Sequence, residues 1–150
     1  MPSMIHNLFA LTALLALFVA APSVRAGDTK MEVTLVWGTN DEKSPDPKHK
    51  ELEKELAERL GKIFQWQHYF LVNKLASDVK KDGSYRKFKL SDDAVVEITE
   101  LDDSKFQIKL IGKDKLVTTR TEVIKKGDIT ALAGDVNNTG CAWFILIRQK

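Results

Sequence analysis

Hydrophobic and polar positions first fall into a two-residue rhythm at Met31, Val33, Leu35 and Trp37, which alternate with Glu32, Thr34 and Val36. That period predicts a half-buried strand within residues 27–37. Residues 38–48 break the rhythm with Gly38, Asn40, Pro45 and Pro47 and predict a loop. Asp46 followed by Pro47 then reads as a helix start, a capping carboxylate ahead of a proline at the first helical position. The helix is expected over residues 47–64. Leu52, Leu56, Leu60 and Ile63 share one face with Phe64 beside them, while Glu51, Lys54, Glu55, Glu58, Arg59 and Lys62 take the other. Glu55 with Arg59 and Glu58 with Lys62 are i,i+4 pairs in the favourable orientation.

From residue 65 to residue 150 the pattern is that of strands and turns. Residues 65–75 are aromatic and β-branched, with Tyr69, Leu71 and Leu75 expected on one side and Phe70 and Val72 on the other. Asp82-Gly83 marks a tight turn before a short strand over 86–90. Strands over 94–101, around Phe106, Ile108 and Leu110, over 116–124 and over 129–133 are separated by short Gly- and Asp-containing turns. Residues 134–140 form a longer turn. Residues 142–147, Ala-Trp-Phe-Ile-Leu-Ile, are apolar on both faces and predict a central strand. The fold class implied is mainly β: an antiparallel sandwich or open barrel of about seven to eight strands with one amphipathic helix.

The N-terminal 26 residues stand apart. Residues 8–21 are apolar except for Thr12, too short for a bilayer span and suited to an export signal, with small residues Ala21, Ser23, Val24 and Ala26 toward its end. Residues 1–26 therefore read as a signal peptide cleaved after Ala26, leaving one β-rich domain over 27–150. The expected address is periplasmic or secreted. The first seven residues lack Lys and Arg, so an uncleaved N-terminal anchor is the alternative. No later apolar run is long enough to predict a span.

Composition narrows the chemistry. The 150 residues carry 23 Lys+Arg against 21 Asp+Glu, a formal +2, which does not point to nucleic acid as a partner. Cys141 is the single cysteine; it excludes an internal disulfide framework and reads as a small core residue, with an intermolecular disulfide as the alternative. His49 and His68 have no third ligand near them in sequence, so no metal site is predicted. His49 is expected on the first helical turn and His68 in a strand. Asp92-Asp93 and Asp102-Asp103 sit at strand ends, where aspartate is ordinary turn chemistry. Neighbouring carboxylates point apart, so neither pair supplies general acid–base geometry. No Gly-x-Ser-x-Gly or phosphate loop occurs, and neither a catalytic residue nor a cofactor is predicted. A hydrolase would need carboxylates and a histidine brought together from distant strands. Asn137-Asn138-Thr139 has the form of a glycosylation acceptor, for which the turn reading suffices.

One stretch stands out as basic. Lys80, Lys81, Arg86, Lys87 and Lys89 surround Tyr85 and Phe88 across the Asp82-Gly83 turn. Lysine on a solvated edge strand blocks aggregation; the same residues, Lys80, Lys81, Tyr85, Arg86, Lys87 and Lys89, are the candidate surface for an acidic partner. Trp37, Trp66 and Trp143 read as core, with a sugar-stacking platform as the competing view.

Residues 60–69, Leu-Gly-Lys-Ile-Phe-Gln-Trp-Gln-His-Tyr, followed by the turn at 134–140 and the apolar strand at 143–147, resemble a pattern in small exported bacterial proteins of unknown function, in which a helix leads into a run of short strands. The resemblance implies an envelope or secreted β-rich domain and transfers no site residue. The function expected is that of a non-enzymatic binding or accessory module of the bacterial envelope, acting by contact with an envelope protein. Binding of peptidoglycan or another envelope glycan is the alternative, and a hydrolase the third reading.

Overall fold

The computed structural model describes residues 27–133 and 140–150. The export signal expected over 1–26, the Asn137-Asn138-Thr139 acceptor and most of the 134–140 turn lie outside these described residues.

The chain forms two antiparallel sheets and one helix. In order these are β1 (Thr29–Thr39), β2 (Lys50–Glu51), α1 (Lys54–Ile63), β3 (His68–Val79), β4 (Tyr85–Lys89), β5 (Ala94–Asp102), β6 (Lys105–Gly112), β7 (Lys115–Val123), β8 (Ile129–Ala133) and β9 (Cys141–Gln149). The larger sheet runs β2-β3-β1-β9-β8 and the smaller β4-β5-β6-β7. The fold is the expected mainly β sandwich, with nine strands among the described residues and no closed barrel.

Three layers result, because the larger sheet is covered on both faces. Toward the smaller sheet, Met31, Val33, Ile145 and Ile147 meet Phe88, Val96, Ile98, Phe106, Ile108 and Leu110 in the main core. Toward the helix, Val36, Phe144 and Leu146 meet Leu52, Leu56 and Leu60. The apolar run at 142–147 is β9, paired with β1 and β8 as a central strand must be. β1 is also central, which corrects its half-buried reading: Glu32, Thr34 and Val36 are buried as well as Met31, Val33 and Leu35. Thr34 and Val36 lie beneath the helix layer, and Glu32 is tolerated because cations surround it.

The helix is shorter than its periodicity predicts, starting at Lys54 rather than residue 47. Asp46 caps a tight turn instead: its Oδ1 accepts the Lys48 N–H at 2.9 Å and its carbonyl accepts the His49 N–H at 3.1 Å. Lys50 and Glu51 then pair with Leu71 and Phe70 on the edge of β3, so strand pairing displaces the first helical turns. His49 consequently lies in a loop. Leu56 and Leu60 anchor the helix, whereas Ile63, expected with them, is 69% exposed at its end.

A bulge explains the third departure. β1 pairs Leu35 with Asn73 but Val36 with Leu71, leaving Val72 as the extra residue of β3. Side-chain parity switches there. Tyr69 and Leu71 pack under the helix, while Leu75 joins Val72 against the inter-sheet core.

Candidate functional site

The smaller sheet has one face in the core and the other uncovered. Alternation along β4 buries Phe88 and turns Tyr85, Lys87 and Lys89 to the outer face, with Tyr85 59% exposed. Register then builds rows across that face. Lys89 pairs with Val95, Val95 with Ile111, and Ile111 with Leu116, giving an apolar row that ends on an edge leucine 61% exposed. Beside it lies the row Lys87, Glu97, Lys109 and Thr119. Lys105 extends the same face on β6.

The six residues singled out as a basic stretch are thus not one patch. Lys87 pairs with Glu97 at 3.6 Å and Lys89 with Asp92 at 3.0 Å. Lys81 turns inward to the buried Glu100 and to Asp103, 3.7 Å from each. Arg86 lies on the Phe88 side of β4, and Lys80 is exposed beyond the end of β3. The turn itself is tightly made: Gly83 takes a φ of 81°, and Ser84 donates to Asp82 Oδ1 from both Oγ and N, at 2.5 and 2.9 Å. Those two bonds hold the Asp82 carboxyl below the usual aspartate range. Lys105, Lys109, Val95, Ile111 and Leu116 were not singled out from sequence, because only strand register brings them beside Tyr85 and Lys87.

A cleft opens where the two sheets part at one end of the sandwich, with a volume of about 410 Å³. Trp37 and Trp143, directly opposite in the β1–β9 register, stand on its wall with Leu35. They are half-buried: Trp143 packs against the main core, as expected, and Trp37 belongs to neither core cluster. Val72, the extra residue of the β3 bulge, also lines the cleft. So does Val117, the extra residue of a second bulge, where Leu110 pairs with Thr118 but Ile111 with Leu116. A Cβ on Gly112 would lie 3.1 Å from Val117 Cγ2, so the glycine leaves room for that valine. His49, Ser91, Asp93 and Lys113 add polar groups. Lys113 and Asp114 both take positive φ, at 48° and 60°, and the Lys113 N–H donates to the Asp93 carbonyl at 3.1 Å, fastening the β6–β7 turn to the start of β5.

Trp66 lies elsewhere, packed against Gly38 in the helix-side cluster. His68, at the start of β3, borders a separate recess of about 540 Å³ between helix and sheet, with Glu42, Glu51 and Glu58 on its rim. These carboxylates are exposed, and among the described residues none hydrogen-bonds or ion-pairs with His68. Tyr69, in the same region, donates to the Phe64 carbonyl at 3.4 Å, and burial pushes its phenol up from its ordinary value. His49 Nδ1 is 2.5 Å from Ser44 Oγ, and its Nε2 is 3.9 Å from Asp46. No group of three or more His, Cys, Asp or Glu side chains among the described residues is placed to hold a metal ion. No helix among them is long and apolar enough to cross a membrane.

Comparison with known protein families, with curated proteins and with solved structures finds no match.

Proposed function

We propose that this chain is an exported binding module without catalytic activity, which holds a partner protein of the bacterial envelope against the outer face of its smaller sheet. One observation carries the reading. The outer face is uncovered and sets the apolar row Val95, Ile111 and Leu116 beside Lys87, Lys105 and Lys109, with Tyr85 on the same face. Glu97 lies between Lys87 and Lys109 and Asp102 stands opposite Lys105, but neither Lys105 nor Lys109 makes an ion pair among the described residues, so the face favours a partner with an acidic rim around an apolar patch. The apolar row would supply buried area, and the lysines orientation and association rate. A hydrolytic reading finds less support. The glutamates near His68 are exposed and unlinked to it, whereas an acid–base pair needs its members within hydrogen-bond reach of each other or of substrate.

The test is affinity capture from an envelope extract with the chain and with Lys105→Glu/Lys109→Glu and Leu116→Ser variants. A partner retained by the unaltered chain and reduced at least about tenfold by both variants supports the reading. Capture that is undiminished, with thermal stability unchanged, removes the outer face as the docking surface.

A further inference from the structure

We infer that the cleft beside Trp37 and Trp143 binds a pyranose ring of a neutral saccharide, a second activity separate from protein docking on the outer face. Along the middle of the sandwich the two sheets close over an apolar core. Here they leave about 410 Å³ open to solvent, within the range of small-ligand sites.

The way the cleft is built argues for a ligand. Of the three register irregularities among the described residues, two place their extra residue, Val72 and Val117, on its wall. Bulges of this kind re-aim a side chain at the cost of ladder pairing, and they are over-represented beside active sites as well as at sheet edges. The paired tryptophans are half-buried, and among the described residues neither indole N–H donates to a protein atom. An indole unites a broad apolar face with one donor, which suits the C–H face and the oxygens of a sugar ring.

Charge decides between ligand classes. Asp93 and Lys113 border the same cleft, and neither side chain makes an ion pair among the described residues. The two charges offset each other, so the cleft offers no net attraction to a fatty acid, a phosphate or an amine: Lys113 draws an anion that Asp93 repels, and the reverse holds for a cation. A neutral polyol can donate to one and accept from the other with each hydroxyl. Leu35, Val72 and Val117 give the remaining wall an apolar surface that also accommodates the methyl of an N-acetyl group.

The experiment is titration of the chain with tri-N-acetylchitotriose, cellotriose and dodecanoate, followed by tryptophan fluorescence and calorimetry. At least one saccharide is expected to bind saturably below about 10 mM. Trp37→Ala and Trp143→Ala should each weaken it about tenfold or more. Because those changes also touch packing, Asp93→Ala and Lys113→Ala, both exposed, provide variants that keep the fold and should weaken binding severalfold. Lys109→Glu, on the outer face, should leave saccharide binding unchanged while impairing partner capture, so either reading can fail alone. Absence of saturable binding by both saccharides, binding of dodecanoate in their place, or a saccharide response unaltered by all four cleft variants would overturn the inference.

Discussion

Arg148 of β9 grips Glu32 of β1 from directly opposite in the strand register: its Nη2 lies 2.5 Å and its Nε 3.2 Å from Glu32 Oε1. Lys150 approaches the other carboxylate oxygen at 3.1 Å. A glutamate 8% exposed in a central strand is thereby neutralised at the rim of the helix-side cluster. Burial pushes its carboxyl up, but the hydrogen bonds from Arg148 and Lys150 and the nearby charges of Lys74 and Arg148 outweigh it. The net displacement is below the ordinary 4.5.

This arrangement predicts an acid-sensitive contribution to stability. A carboxyl that holds its proton less tightly when folded than when unfolded stabilises fully above its unfolded value and loses that contribution as pH falls through the folded one. Glu32→Gln should therefore lower the melting temperature at neutral pH, and the gap to the unaltered chain should narrow as pH drops below 4.5. Arg148→Met, which leaves the buried carboxylate with Lys150, should cost about 1–3 kcal/mol at neutral pH. Thermal unfolding across pH checks both; a gap that stays constant into acid would contradict the assignment.

Two glycines should respond oppositely to alanine. A Cβ on Gly38 would meet Phe144 Cε2 at 2.7 Å and Trp66 Cδ1 at 2.8 Å, ring atoms held in the helix-side cluster. Gly38→Ala should therefore cost about 1–3 kcal/mol through overpacking. Gly61 lies within α1 with nothing within 4 Å of its Cβ position, and Gly61→Ala should stabilise by about 0.5–1 kcal/mol. Chemical denaturation of both variants measures the contrast.

Along the helix, truncation should separate anchors from ornament. Leu56→Ala and Leu60→Ala remove side chains buried against the larger sheet and should cost about 2–4 kcal/mol each. Ile63→Ala removes a side chain that is 69% exposed and should change stability by less than about 0.5 kcal/mol. Equal losses at all three positions would show that the helix packs differently.

Local sequence discloses only part of this architecture. Alternation located β4, β5, β6 and β9 closely, because each buries one or both faces in the ordinary strand manner. It misread Glu32 as solvent-facing, since Arg148 and Lys150, which neutralise it, lie more than a hundred residues away. The helix face carrying Leu56 and Leu60 was legible, but its start was not: Leu52 joins the same cluster from ahead of α1, and the edge of β3 captures Lys50 and Glu51, a tertiary pairing without a local signature. Val72 and Val117 look like any β-branched strand residues. Their role in the cleft arises from bulges, which depend on the partner strand. The outer-face row Val95, Ile111 and Leu116 exists only through register. Sequence alone showed the charged hairpin because its residues are neighbours in the chain, and structure divides them by the direction each side chain takes.

Lys81 shows that division most sharply, because its charge turns into the fold. Glu100 is 5% exposed and bridges the sheets: Thr29 Oγ1 of β1 donates to its Oε2 at 2.7 Å, while Lys81 lies 3.7 Å from Oε1. A buried carboxylate that loses a partner keeps its desolvation penalty, so Lys81→Met should destabilise by about 1–2 kcal/mol and Thr29→Val by a similar amount. Arg86 shares neither bond, and Arg86→Glu should leave stability within about 0.5 kcal/mol. Pairing Lys81→Met with Glu100→Gln should cost less than the two single changes summed, because the charge that Lys81 offsets is gone. Denaturation of the four variants and the pair provides the cycle. An additive result would mean that Lys81 does not stabilise Glu100. A coupled one would make Lys81 part of the fold, so that a charge reversal there weakens partner capture only by weakening the domain.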